Sequence, residues 1–167
     1  MMRAARHVDA IRMTEMLVEK QTQSIYAGGC DVDEQYCRKL ISAAIQRHGG
    51  KFDGATLVNV IEDDEGVVQA FLMASLTRVY GIGKLLTADT GPLVATEKAP
   101  AGAMDKLLNA YIKWARSNSK VYEIDATWTD ILPTGPRMDK IFERKGFEKC
   151  GGIYRRIMAA DAVKEAA

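Results

Sequence analysis

Histidine, cysteine and proline are scarce in this chain, charge of one sign does not dominate, and no long apolar run occurs. The two histidines, His7 and His48, have no second ligand at a metal-binding spacing, so no metal centre is expected and both read as surface groups. The three cysteines, Cys30, Cys37 and Cys150, are an odd number without a CxxC pair, which argues against a disulfide framework or a zinc site. No histidine is placed to activate Cys150 as a nucleophile. These features fit a reduced, cytoplasmic setting. No window approaches the about 18 apolar residues of a membrane span, and Met1–His7 lacks the apolar run of a signal peptide, so no membrane partner is expected. With 23 basic and 22 acidic residues the net charge is +1, and no strong field draws the protein to nucleic acid.

What is present is an ordinary globular composition, 47% hydrophobic and 27% charged, in a length that suits one domain with a sizeable core. We expect that domain over residues 1–158 and an Ala-rich tail over 159–167. A short strand near Met2–Ala5 precedes a helical pattern that starts at Val8 and Asp9 and is expected to reach Tyr26, with Gly28-Gly29 stopping it. Asp31 followed by Glu34 resembles a capping box, and Tyr36, Cys37, Leu40, Ile41, Ala44 and Ile45 trace a second helical face. Asp31, Asp33 and Gln35 make only a faint calcium-loop pattern, since its glycine and bidentate glutamate are missing. From Thr56 the period changes to that of a hairpin, with strands over Thr56–Glu62 and Val67–Leu76 around an acidic turn closed by Gly66. The Gly81-Ile82-Gly83-Lys84 stretch lacks P-loop spacing and reads as a connecting loop.

A fourth strand runs from Leu85 to Asp89, is interrupted at Gly91-Pro92, where it is expected to splay, and resumes at Leu93-Val94-Ala95. It feeds, through a loop of small residues, an amphipathic helix with Met104, Leu107, Leu108, Tyr111 and Trp114 on its face. Such a junction can hold a phosphate, because first-turn amides lack intrahelical partners and the helix dipole adds positive potential. Val121–Trp128 alternates like a strand, parallel to the fourth across that crossover helix. A further helix opens at Pro136, stops at Gly146 with Phe147 packing back on it, and leads to a last strand over Gly152–Ile157.

The segment from Gly135 to Phe147, a helix ending in an aromatic, charged residues and Gly-Phe, resembles the C-terminal motif of the GNAT superfamily of acyl-CoA N-acyltransferases, and the order of elements resembles that fold over nearly the whole chain. The resemblance implies an α/β fold with a mixed, mostly antiparallel central sheet, a splayed parallel pair, and flanking helices. It implies acetyl-CoA or another acyl-CoA as co-substrate, no metal, and direct transfer to a small-molecule or peptide amine; a homodimer fits as well. It places the backbone of Leu93, Val94 and Ala95 against the pantetheine arm, with Val94 polarising the acyl carbonyl, and Ala101, Gly102, Ala103 and Met104 around the pyrophosphate, aided by Lys98 or Lys106.

The chain departs from the family pattern. Of the Arg-Gly-x-Gly-x-Gly/Ala cradle only Gly102 matches; Pro100 removes one donor and Met104 brings bulk. Phe142 stands where many members have a tyrosine that reprotonates the CoA thiolate, and Thr134 and Gly135 stand where they have an asparagine. Tyr154 or water could serve as the acid instead, and Asp89, Glu123 and Asp125 are the candidate bases for the amine. Glu123 and Asp125 share a strand face by alternation. The leading reading is an N-acetyltransferase; the rival is a catalytically degenerate protein of the same fold acting as a binding or structural component.

Overall fold

The computed structural model describes residues 1–128, 131, 137–152 and 154–155. Its elements are β1 (Met2–Ala4), α1 (Asp9–Gln21), α2 (Glu34–Gln46), β2 (Thr56–Glu62), β3 (Val68–Arg78), β4 (Leu86–Ala95), α3 (Ala103–Arg116), β5 (Val121–Asp125) and α4 (Arg137–Arg144). The strands form one five-stranded sheet in the order β1-β2-β3-β4-β5. The first four are antiparallel, and β4 pairs parallel to β5. Helices cover both faces, which is why β2 and the start of β3 read as near-continuous apolar runs rather than alternating ones.

Two cores follow from the two faces. Leu57, Leu72, Leu76, Leu86 and Ala88 pack with the α3 side chains Leu107, Leu108 and Tyr111 and with Phe142 of α4. On the other face Val58, Val60, Phe71 and Val94 pack with Met13 and Met16 of α1 and Ile41 of α2. The fold is therefore the expected mixed α/β arrangement with a parallel pair at one side. No helix among the described residues is long and apolar enough to cross a membrane.

Several boundaries differ from the sequence expectation, each for a local reason. The first helix ends at Gln21, not Tyr26: the hydroxyls of Thr22 and Ser24 donate to the carbonyls of Glu19 (2.8 Å) and Gln21 (2.7 Å), favouring turns over further helix. The second helix is capped by Asp33, not Asp31; the Asp33 carboxylate accepts the Tyr36 amide at 2.9 Å, which makes Glu34 the first helical residue. The fifth strand stops at Asp125 instead of reaching Trp128, and Tyr122 is an extra residue in its pairing, since Leu86 faces Val121 and Thr87 faces Glu123. The expected last strand falls on residues of which only Gly152, Tyr154 and Arg155 are described, and none of these is in a strand.

The Gly-Phe motif has a plain physical role. The Gly146 amide donates to Glu143 O at 2.9 Å and the Phe147 amide to Phe142 O at 3.1 Å, the paired bonds of a Schellman cap, with the Phe147 and Phe142 rings 5.8 Å apart. Gly146 holds φ +83° in open space, so a side chain there meets only backbone strain. Gly146→Ala is expected to destabilise by about 1 kcal/mol and lower Tm by about 2–4 °C, read by thermal denaturation.

His48, expected at the surface, is half-buried, and its Nδ1 accepts the Val58 amide at 2.9 Å where the end of α2 bridges to Thr56. An accepting Nδ1 requires the neutral ring, and burial holds the imidazole below its ordinary value of 6.5. The unfolded chain therefore takes up a proton before the folded one does. Unfolding free energy is expected to fall as pH drops below about 6.5. His48→Asn should flatten that limb in denaturant titrations between about pH 5 and 7.

Candidate functional site

The site grows from β4. On its antiparallel side Leu93 faces Leu72 and Thr90 faces Ala74, so Gly91 and Pro92 together oppose Met73. This is a β-bulge: the strand stays continuous through the Gly-Pro step instead of breaking there, and a proline, which cannot donate to a ladder, sits where a donor is not needed. On the parallel side pairing runs from Leu86 with Val121 to Asp89 with Asp125 and goes no further. The splay thus starts before Gly91-Pro92, and beyond it the Thr127 amide reaches only the Thr90 hydroxyl, at 3.0 Å. Among the described residues no strand pairs with Leu93, Val94 and Ala95 on the β5 side. Val94 turns into the core beneath α1 and α2, while Leu93 and Ala95 pack towards α3.

From Ala95 the chain turns into α3. The Ala103 amide donates to Pro100 O at 3.0 Å, and Gly102 opens the helix in the left-handed region with φ +75°. The amides of Ala101, Gly102, Met104 and Asp105 have no partner among the described residues. A Cβ on Gly102 would meet nothing within 4 Å, so the approach to these amides is open. Ala101, Gly102, Lys98 and Lys106 are exposed there, while Met104 is only partly so. Lys98 is shared with Asp63, whose carboxylate is held below the usual range first by the Gln69 side chain and also by the Lys98 charge. Asp105, an acid that would oppose an anion at this helix end, is engaged by Lys145 at 2.5 Å. Four free amides at a helix N-terminus with two nearby lysines can hold a pyrophosphate through backbone donors. The open edge of β4 that leads to them can take an extended amide-bearing arm. These residues suit an acyl-CoA.

Past the splay lies a cleft of about 1240 Å³ between the end of β5, α4 and the chain beyond Phe147. Asp89, Asp125, Phe142 and Tyr154 all line it. Asp89 and Asp125 are register partners, and alternation with Ala88 and Ile124, which pack towards α3, puts both on the α1/α2 side of the sheet. Burial and then the Asp125 charge push the Asp89 carboxyl above its ordinary value, even though it opens to solvent at the cleft wall. Thr87 donates to Asp125 Oδ2 at 3.1 Å, which orients that carboxylate. Glu123, opposite Thr87, is not among the described cleft residues. Tyr154 is 99% exposed and lies at the rim. The Phe142 ring is buried, and Trp128 Nε1 donates to Asp139 Oδ1 at 2.5 Å on the adjoining wall. Thr134 lies outside the described residues.

Sequence reasoning missed two polar members of this site. Thr90 bridges the splay through its hydroxyl. Tyr111, read as an apolar helix position, places its hydroxyl 2.7 Å from Ala88 O and 2.6 Å from Asp125 O. The available signal was a phenol among aliphatic residues on a buried stripe, since a buried hydroxyl needs an acceptor. Among the described residues no group of three His, Cys, Asp or Glu side chains could hold a metal ion.

No protein-family model and no curated protein matches the sequence. Solved structures do match in three dimensions. An acetyltransferase from Trypanosoma brucei aligns with TM-score 0.65 at 12% identity, over 95% of this chain and 99% of its own. Glucosamine-6-phosphate N-acetyltransferase from Arabidopsis thaliana aligns with TM-score 0.65 at 10% identity, over 95% and 98%. A transcriptional regulator from Bacillus halodurans aligns with TM-score 0.66 at 16% identity, over 94% and 99%. The chain shares its fold, almost end to end, with solved acetyltransferases of the GNAT type.

Proposed function

We propose that the protein transfers an acyl group, acetyl in the simplest case, from acyl-CoA to an amine. One observation carries this: β4 and β5 part after Asp89 and Asp125, so that among the described residues the β5-side edge of Leu93–Ala95 has no strand partner, and the chain leads from it to four amides without a partner. The pantetheine arm lies along that edge, the pyrophosphate meets Ala101, Gly102, Met104 and Asp105, and Lys98 and Lys106 supply the charge of the missing arginine. The amine enters the cleft as an ammonium and gives its proton to Asp89. Its lone pair then attacks the thioester carbon, with the acyl oxygen facing the open β4 edge at Leu93 and Ala95, whose amides point away from β3; the Val94 amide, which the resemblance assigned to this task, faces Phe71 across the β3 ladder. The C–N bond forms, the C–S bond breaks, and CoA leaves as a thiolate of intrinsic pKa about 8.5. The acylated nitrogen still carries a second surplus proton, which passes through water to that thiolate, giving the neutral amide and CoA thiol; Phe142 has no proton to give.

Calorimetric titration with acetyl-CoA tests the reading. A Kd of about 100 µM or tighter is expected, equivalent to about 1.4 kcal/mol of added stability at about 1 mM ligand. No heat and no thermal shift under those conditions would overturn it. Once an acceptor amine is found, Phe142→Tyr is expected to raise turnover above pH 7 if thiolate release limits the rate; equal turnover shows that water suffices.

A further inference from the structure

We propose that Tyr111 is a positioning residue, the pin that sets the point at which β4 and β5 part and so selects which backbone groups of β4 are offered to the acyl-CoA. For its ligand this rests on the acyl-CoA reading; for its structural part it does not.

Tyr111 lies on the buried stripe of α3 with Leu107, Leu108 and Ala115, and like them it is fully buried. An aliphatic side chain would fill the space without a polar atom, so the phenol brings a group that must be satisfied where water does not reach. It is satisfied by two acceptors on different strands, Ala88 O at 2.7 Å and Asp125 O at 2.6 Å. Ala88 pairs with Ile124, and Asp125 with Asp89 at the last rung of the parallel ladder. The single phenolic proton is shared between the two carbonyls, so one helix side chain ties both strands at the rung where pairing stops.

Beyond that rung, the link between the strands among the described residues changes from backbone pairing to the Thr127 amide on the Thr90 hydroxyl. Burial, and then the charges of Asp89 and Asp125, push the phenol far above its ordinary value, so it remains a donor across the working pH range. The same tie fixes the backbone of Asp125, whose carboxylate faces Asp89 in the cleft. Tyr111 therefore links the position of the opening to that of the carboxylate pair, while touching neither ligand.

Tyr111→Phe removes the hydroxyl and keeps the ring. The stability-matched control is Leu107→Val, on the same helix face but without a bond to either strand. Two measurements decide. Hydrogen exchange in the free protein is expected to quicken about tenfold at the amides of Thr90 and Thr127 in Tyr111→Phe, with β2 amides unchanged. In the control those two amides should exchange as in the native protein. Acetyl-CoA affinity by calorimetry is expected to weaken about tenfold in Tyr111→Phe and by less than about twofold in the control. Unchanged exchange at Thr90 and Thr127, or equal loss of affinity in both variants, overturns the pin. If the native protein binds no acetyl-CoA, the functional reading fails while the exchange comparison still decides whether Tyr111 pins the strands.

Discussion

Replacing Asp89 by asparagine is expected to lower acyl transfer by about 10²- to 10⁴-fold while leaving acetyl-CoA affinity unchanged, as loss of a general base does. The residue stands on the last position of β4 that pairs with β5, opposite Asp125 and on the cleft wall. Its carboxyl is raised by burial and by the Asp125 charge, which makes it a stronger base than an ordinary surface aspartate. Transfer should need the ionised form, so the rate falls on the acid side through a limb above the ordinary carboxylate range. Neutralising the neighbour by Asp125→Asn removes the charge that raises Asp89, and the limb is expected to move to lower pH. A limb that stays in place in Asp125→Asn, or full turnover in Asp89→Asn, assigns the proton to another group. Glu123→Gln is the internal comparison, because Glu123 shares that sheet face without lining the described cleft, and it should leave turnover within about threefold of the native value.

What the sequence made legible is what is local in it. The change from helical to alternating apolar spacing at Thr56 marks where the helices give way to the hairpin, because the two periods differ. The Gly146-Phe147 pair was readable for a similar reason: a Schellman cap closes within six consecutive residues, all visible in one window. Asp31 and Asp33, in contrast, are two acids two residues apart before the same helix, and nothing in their spacing says which carboxylate reaches an amide. The carboxylate that reaches one is that of Asp33, on the Tyr36 amide three residues on.

The site was less legible than the fold. Leu93–Ala95 and the small-residue loop could be placed because a strand running into a helix leaves free amides whatever the side chains are, and those amides survive the loss of the usual glycines. The register of β4 on β5 could not be placed, because the extra residue at Tyr122 shifts the pairing by one. Asp89 therefore meets Asp125, and the ladder ends there, through an irregularity that strand alternation does not contain. Tyr111 depends on the same register: its acceptors are 23 and 14 residues away. Such a pairing is decided by how α3 packs across two strands, and a single amphipathic pattern reports only that its ring is inside.

The largest loss of stability is expected from a cluster that no motif announced. Arg3 on β1 places its guanidinium fork on Asp9, at 2.6 and 2.9 Å, and its Nε and a second nitrogen on Glu62 at the end of β2, with Nε at 2.9 Å. Asp9 also accepts the Arg6 amide at 2.6 Å, and it is only 6% exposed. Burial alone pushes the Asp9 carboxyl up; the Arg3 hydrogen bond and the Arg6 amide outweigh it and hold the group below its ordinary value of 3.8. A carboxylate with a depressed folded value contributes stability above the unfolded value, and that contribution is lost as pH falls through the folded one. Asp9→Ala leaves the guanidinium fork without its bidentate partner and the Arg6 amide without its acceptor. The expected cost is about 3 kcal/mol, or roughly 10 °C in Tm. Arg3→Met should flatten the pH response of this corner. Without the guanidinium, burial is opposed only by the Arg6 amide and charge, the folded value of Asp9 rises from its depressed position, and stability relative to the native protein should recover as pH is lowered from 7 towards 4. Denaturant titrations of both variants across that range separate the outcomes. A cost below about 1 kcal/mol in Asp9→Ala would make this an ordinary exposed ion pair. A parallel pH response in native protein and Arg3→Met would mean that Arg3 is not what holds the Asp9 carboxyl down.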